Sequence, residues 1–483
     1  MPSLRHRTFL PTLACLTALS LTALALTALA PAVRGQDAPK EPPKAAAPEP
    51  LGQAATEALV ARYTAAEHWV QKAVTLLSLN TFWHPAGARM ITAALKEKDA
   101  RLVAFGLEAL LRADPALLPS VATTELLDDL IVRQLVRNND LVVERTLKAL
   151  KLLVPKADAT DKAGWTRWWT DAKATWAPEA WAAREAPAGG KTTMAVSQRA
   201  FDLYQAGLDM VVCIDSTGSM QPTIDALGAA LGDMVDILGG ISPKLRLAIV
   251  HYKDYGELGK TGAKVVLPFQ KNIAAAQKEL GDLRAFGGED LPEAVLGGLE
   301  QSLDPKFGWK KDANKLVVLI GDAPPHARDR EKAIELVRAA HDNPGGRGNK
   351  PTTGAKTPET PFLTSCIGVV VNLEGKLKEL DGYKQFVESQ KTMREDFAAI
   401  AKAGGGVYVE VEFTFKDEPP PASGKERKEK AKEQEKARDQ VASGATRRIV
   451  EHILVLSFGE QFAAEMRDFV RVFYEYKEAG LIK

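Results

Sequence analysis

The chain has 483 residues, enough for two or three domains, and its 45% hydrophobic and 26% charged residues are an ordinary globular mixture. A formal net charge of +1 excludes a nucleic-acid surface that works through bulk positive charge. Three cysteines, with no Cys-x-x-Cys and no His-Glu-x-x-His, call for no disulfide framework and give a zinc site no support.

The amino terminus carries an export pattern. Arg5, His6 and Arg7 precede an apolar stretch, residues 9–33, with no acid before Asp37, and Val33, Arg34 and Gly35 offer small residues to a signal peptidase. This predicts a signal peptide over residues 1–35 and a protein that is secreted or held in the periplasm or cell envelope. An uncleaved membrane anchor is the alternative, because the stretch is long enough to span if Pro11 is tolerated. Cleavage removes Arg5, Arg7 and Arg34 and takes the formal charge from +1 to −2. Cys15 lies inside the apolar run, without a lipoprotein pattern before it.

Residues 36–53, rich in Pro, Ala, Lys and Glu, read as a disordered tether. Residues 54–181 are helical wherever they are periodic. Leu107-Glu108-Ala109-Leu110 ahead of Pro115 matches Leu147-Lys148-Ala149-Leu150 ahead of Pro155 at an offset of 40, the spacing of HEAT-like helical pairs; a plain bundle is the alternative. Trp165, Trp168, Trp169 and Trp176 share one helical stripe and are expected in the core. Residues 182–204 read as a linker rich in small residues.

From residue 205 to 415 strands and helices alternate, which predicts an α/β domain with a doubly wound, mostly parallel sheet. Strands are expected at 208–214, 245–252, 263–269, 315–321, 362–371 and 407–413. A helix after the first strand carries Ile224, Leu227, Leu231, Met234 and Leu238 on one face, and two more, at 273–283 and 292–303, flank a glycine loop. Cys213 and Cys366 fall on apolar strands, as small buried thiols.

The first strand is apolar on both faces and ends in Asp215-Ser216-Thr217-Gly218-Ser219, at the carboxyl edge where open α/β sheets bind ligands. One carboxylate and two hydroxyls at alternate positions can converge on a small hard cation, or Thr217 and Ser219 can simply cap the next helix. Two further segments favour the cation. The strand at 315–321 delivers Asp322 in the same way, and Gly287-Gly288-Glu289-Asp290 brings acids on a glycine hinge toward a helix start at Pro292.

These residues resemble the metal-ion-dependent adhesion site of the von Willebrand factor type A family, whose pattern is Asp-x-Ser-x-Ser, a distant Thr, then a distant Asp. The resemblance covers 205–415 and implies that Asp215, Thr217, Ser219 and Asp322 bind one divalent cation, most simply magnesium, with manganese or calcium as substitutes. Thr217 replaces a Ser and keeps the hydroxyl, whereas Asp290 (or Glu289) stands where many members have Thr. A bacterial-looking branch with Asp-x-Thr-Gly-Ser-Met, Gly-Gly-Gly-Asp-x-Pro-Glu and Asp-Ala-Pro-Pro-His matches more closely, as Asp215 to Met220, Gly287 to Glu293 and Asp322 to His326. The function it implies is a cation-dependent protein-binding module, an adaptor whose partner offers an oxygen ligand to the ion. Three acids around one ion would overcompensate it and weaken its attraction for an anionic partner.

A metal-dependent hydrolase at the same strand end is the alternative, but the acid it needs two residues after Asp215 is replaced by Thr217. A metal-free scaffold that binds through the helical region is another. His326 is expected to fix a neighbouring loop, and His251, Asp254 and Tyr255 to anchor one. Residues 416–444 are a dense, sign-balanced run of Lys, Glu and Arg, read as a solvated spacer, and 445–483 as an amphipathic helix that packs back on a domain.

Overall fold

A computed structural model describes residues 53–79, 85–113, 118–179, 191–288, 291–344, 360–379, 382–415 and 444–482. The expected signal peptide, most of the tether, the linker up to residue 190, Glu289, Asp290 and nearly all of the charged spacer lie outside the described residues. No helix among the described residues is long and apolar enough to cross a membrane.

The amino-terminal region is helical: α1 (Gln53–Ala65), α2 (Trp69–Leu77), α3 (Ala88–Lys96), α4 (Ala100–Arg112), α5 (Leu118–Val121), α6 (Thr124–Asp128), α7 (Asp140–Leu153) and α8 (Lys162–Ala172). Short polar side chains set several starts. Asp99, Thr123, Asn139 and Asp161 each accept a backbone N–H of the helix that follows, satisfying one of its free donors. The matching Leu-x-Ala-Leu segments fall on α4 and α7, which pack together. Trp165 and Trp169 are buried, with Trp168 and Trp176 packed beside them, as the stripe requires.

The sheet has six strands: β1 (Leu208–Asp215), β2 (Arg246–Tyr252), β3 (Ala263–Gln270), β4 (Asn314–Gly321), β5 (Phe362–Leu373) and β6 (Gly405–Phe415), in the order β3-β2-β1-β4-β5-β6. All neighbours are parallel except β2 and β3, so the sheet is mostly parallel with one antiparallel edge. Side chains alternate between two cores, as the pleat dictates. Met210, Val212 and Ile214 point to one, Val211 and Cys213 to the other. The second core is closed by α12 (Val295–Ser302), α13 (Arg330–Asp342) and α14 (Tyr383–Ala403). Cys213 and Cys366 are buried free thiols. This is the doubly wound, mostly parallel α/β architecture that the alternation of elements predicts.

The first core does not stop at the sheet. It runs from β1 through α10 (Gln221–Ile241) and α11 (Ile273–Asp282) and into the amino-terminal helices as one hydrophobic cluster. Helix α9 (Lys191–Ala206) replaces much of the expected linker, because Val196, Ala200 and Leu203 face this core. Arg199 ties α9 to the Asn314 side chain at 3.1 Å and to the carbonyls of Ser457 at 3.0 Å and Phe458 at 3.3 Å. The carboxyl-terminal segment forms two helices rather than one, α15 (residues 444–458) and α16 (Ala463–Glu478), divided where Gly459 takes a φ of 108°. As expected it packs back: Phe469 and Phe473 lie 5.9 and 6.1 Å from the Trp69 ring, and Phe469 lies 4.8 Å from Phe105. The helix expected from Pro292 starts only at Val295. Glu293 and Ala294 instead give their N–H groups to the carbonyls of Pro324 and Lys253, both at 3.0 Å.

Candidate cation site at the carboxyl edge of the sheet

Asp215 ends β1 with no solvent exposure. Its Oδ1 accepts the Thr217 backbone N–H at 2.8 Å and the Thr217 hydroxyl at 2.7 Å, while its Oδ2 has no partner. In the neighbouring strand, Asp322 follows the end of β4. Ile214 pairs with Ile320, so the two acids come off adjacent strand ends about level. The Asp322 carboxylate accepts the Ser219 hydroxyl. The structure therefore brings Asp215, Thr217, Ser219 and Asp322 together, as the spacing predicts. Asp290 and Glu289 lie outside the described residues.

The middle loop is laced to the first. Phe286 donates its N–H to the Ser216 carbonyl at 3.2 Å, and Gly218 donates to the Gly287 carbonyl at 3.1 Å. Gly287 and Gly288 both hold positive φ, at 78° and 77°, a region that favours glycine. A Cβ on Gly288 would sit 2.7 Å from the Thr217 Cβ, so the approach itself needs glycine. Glu257 takes the space beside Gly287 and accepts the Gly288 N–H at 3.1 Å.

Two residues join the site that the sequence did not single out. Glu293 is 2% exposed, is carried by a backbone bridge to Pro325, and leaves its Oε2 without a partner. It was legible only as the last letter of the Asp-x-Pro-Glu motif. Lys253, one residue past β2, is buried; its Nζ donates to the Phe286 carbonyl and lies 3.7 Å from Glu257.

The electrostatics follow from burial. Loss of hydration, then the charge of Asp322, pushes Asp215 up to about 8, against the opposing hydrogen bonds from Thr217 and the charge of Lys253. Burial likewise raises Asp322, against the Ser219 hydrogen bond. Burial, then the charges of Asp215, Asp254 and Asp322, pushes Glu293 up to about 10. Lys253 is lowered by burial, while Glu257, Asp215 and Glu293 oppose that shift. Three buried acids thus share one ammonium that is hydrogen-bonded elsewhere.

Around this centre the imidazoles act as anchors. His326 Nε2 meets Asp254 Oδ1 at 2.6 Å, and Tyr255 donates to Asp329 at 2.9 Å. His251 Nδ1 lies 3.0 Å from Ser216 Oγ, and burial, then Lys253 and Lys264, holds its pKa down to about 4. Ser216 has no solvent exposure, and its hydroxyl also reaches the Tyr252 carbonyl at 3.2 Å.

The donors fit a hard cation: carboxylate and hydroxyl oxygens, one of them an orphaned buried carboxylate oxygen, with no thiol and no coordinating imidazole. No group of three His, Cys, Asp or Glu side chains among the described residues is arranged to hold a metal. The expected first ligands include only two described acids, Asp215 and Asp322, the rest being hydroxyls.

No family model matches the chain. It is 26% identical over 170 residues to the alpha-protein kinase vwkA of Dictyostelium discoideum, a stretch that is 34% of this chain and 24% of that one. It is 28% identical over 128 residues to a putative ariadne-like RING finger protein of Acanthamoeba polyphaga mimivirus, 26% of this chain and 12% of that one. The chain therefore spans a quarter or less of these relatives. Among solved structures it is similar to the conserved hypothetical protein BatB from Bacteroides thetaiotaomicron, with a TM-score of 0.29, 17% identity, and coverage of 49% of this chain and all of that one. It is also similar to the pilus adhesin SpaC from Lactobacillus rhamnosus GG in its open conformation, with a TM-score of 0.30, 13% identity, and coverage of 51% and 30%. Likeness of that size carries no function, and the fold is read from the strand order itself.

Proposed function

We propose that this protein is an exported, cation-dependent protein-binding module. Asp215, Thr217, Ser219 and Asp322 would hold one divalent ion, magnesium before manganese or calcium, with Asp290 or Glu289 in or near its first shell. The observation that carries this reading is the buried, partnerless Oδ2 of Asp215 beside a second buried carboxylate. A cation supplies the charge that the chain itself withholds, and an oxygen of the partner completes its coordination. Glu293 and Lys253 tune the balance: the acid adds attraction for the ion, and the lysine subtracts from it. The residues favour binding over hydrolysis, because Thr217 stands where a second catalytic acid would be needed and Ser216 is shut away from solvent. The helical region would supply a second surface, and the basic, apolar amino terminus would deliver the protein outside the cytoplasm or anchor it there.

Titration calorimetry with magnesium on the wild type and on Asp215→Ala tests the site. One-site binding is expected in the wild type and none in the variant, with magnesium raising the melting temperature of the wild type alone. Equal binding by both proteins removes the assignment. Export is tested by fractionation and amino-terminal sequencing, with a start just after Gly35 expected and an intact Met1 in the cytosol excluding it.

A further inference from the structure

The other edge of the sheet, where β1 and β2 begin, carries a cleft of its own. Leu247 pairs with Gln270, so the start of β2 and the end of β3 lie side by side there. Helix α10 ends at this edge, α11 begins at it, and the two helices pack together. Between them opens a cleft of about 370 Å³, lined by Ser242, Pro243 and Leu245 from one segment and by Lys271, Asn272 and Ala274 from the other. Ser242 has no solvent exposure, and its Oγ has no hydrogen-bond partner among the described residues. Its backbone is paired, the N–H to the Leu238 carbonyl at 2.7 Å and the carbonyl to the Leu245 N–H at 2.9 Å, so the hydroxyl alone is left over. A buried hydroxyl without a partner is destabilising until something completes it. Asn272 stands at the start of α11 without capping it, so its side chain leaves the opening N–H groups of that helix to other acceptors. The first turn of α11 holds no acid, and neither do the two lining stretches, residues 239–245 and 271–274. Lys271 is exposed beside this helix start, while the neighbouring Lys244 is engaged by the Gln205 carbonyl at 2.7 Å.

From this arrangement we infer that the cleft binds a small organic oxyanion, a phosphate ester or a carboxylate. Backbone N–H groups at a helix start, together with the helix dipole, favour negative charge, and Lys271 adds a full positive one. The ligand's oxygens complete the Ser242 hydroxyl, and Pro243, Leu245 and Ala274 offer apolar surface to its carbon skeleton. A divalent cation finds no carboxylate in the lining stretches. A nucleic-acid backbone needs a broad basic surface that a net charge of +1 does not provide. The cleft lies across the sheet from Asp215 and does not depend on the cation reading.

The test is calorimetry on the full chain in chelator, with glycerol 3-phosphate, lactate and inorganic phosphate as probes. Chelator keeps the acids at the strand ends from holding an ion that could attract an anion. Wild type is expected to bind one organic probe per chain with a Kd below about 1 mM, and inorganic phosphate more weakly. Preference for glycerol 3-phosphate assigns a phosphate ester, and preference for lactate a carboxylate. Lys271→Glu, at an exposed position, should weaken binding about tenfold. Ser242→Ala should weaken it about threefold while raising the melting temperature without ligand, because the unpaired hydroxyl is gone. Asn272→Asp should also raise the melting temperature, by capping α11, and should weaken binding by repelling the anion. The site is overturned if no probe binds, if Lys271→Glu and Asn272→Asp bind as the wild type does, or if inorganic phosphate binds as tightly as the organic probes. Asp215→Ala should bind unchanged; a loss there would place the anion at the other edge of the sheet and remove this assignment.

Discussion

Glu108, between the amino-terminal helices and α16, and Asp215, at the end of β1, are both buried, yet they are surrounded oppositely. Glu108 meets Arg145 at 3.2 Å, Arg471 at 3.0 Å and the Tyr476 hydroxyl at 3.2 Å. Arg112 pairs with Asp468, Arg145 with Glu475, and Arg471 with Glu475 at 2.7 Å, so acids and arginines match in number. Asp215, Asp322 and Glu293 are as deeply placed but face one lysine already engaged by a carbonyl. The first cluster brings its counter-charges within the chain and serves as a fastening. The second leaves negative charge to be met by protons or by an ion from solution. Burial alone does not set Asp215 apart from Glu108; the shortage of counter-charge around it does.

Removing an acid from each cluster separates them most strongly. Glu108→Ala leaves Arg145 and Arg471 with Glu475 as the one acid they share and should cost about 3 kcal/mol in urea unfolding, with magnesium affinity unchanged. An unaltered urea midpoint would break the comparison. At the sheet edge the sign reverses. In chelator near pH 9, Asp215→Asn should stabilise the protein by about 1 kcal/mol, because it removes a charge that nothing neutralises. A loss of stability there would mean that Lys253 already compensates the site.

Acidity sharpens the contrast further. The folded-state pKa of Asp215 is raised from an ordinary carboxylate value to about 8. Its contribution is therefore fully present below about pH 4 and is lost as pH rises through about 8. The melting temperature in chelator should fall across that window, the fall should be shallower in Asp215→Asn, and the stabilisation by magnesium should grow as the acids ionise. A parallel decline in wild type and variant would assign the pH response elsewhere. The smallest effect is expected at Asp290. Asp290→Thr should tighten binding of an acidic peptide by about threefold by leaving the ion more positive, and Asp290→Ala should weaken ion retention if that carboxylate ligates directly. Surface plasmon resonance against a short acidic peptide in magnesium reads the first, calorimetry the second.

Much of this contrast was legible in the sequence, and unevenly so. β1 and β4 announce themselves because parallel strands covered on both faces are apolar along most of their length, from Met210 to Ile214 and from Leu316 to Ile320, and an acid of the candidate site follows each run within two residues. Spacing alone also put Thr217 and Ser219 beside those acids. Glu293 was not legible as a site residue, because its place depends on backbone bonds to Pro324 that no local pattern encodes. The same bonds delay α12 to Val295, overriding the helix signal at Pro292. Lys253 gave no signal, since a lysine after a strand is ordinarily solvated. Helix α9 was missed because its apolar residues are few and follow a run of small ones. The arginine cluster joins positions 108 and 471, a pairing that only the tertiary fold creates.

The seating of α16 over α2 and α4 has a consequence for how the molecule is made. Trp69 and Phe473 are 404 positions apart (473 − 69), and the whole sheet is synthesised between them. Loops of that length close slowly, and contacts between distant positions form late. Until α16 emerges, Trp69 and Phe105 present an aromatic face to water, a surface that chaperones and proteases recognise. Truncation before residue 463 should therefore leave the core of Val211 and Cys213 intact while the helical layer stays open to digestion. Only a chain translated through α16 covers that aromatic face.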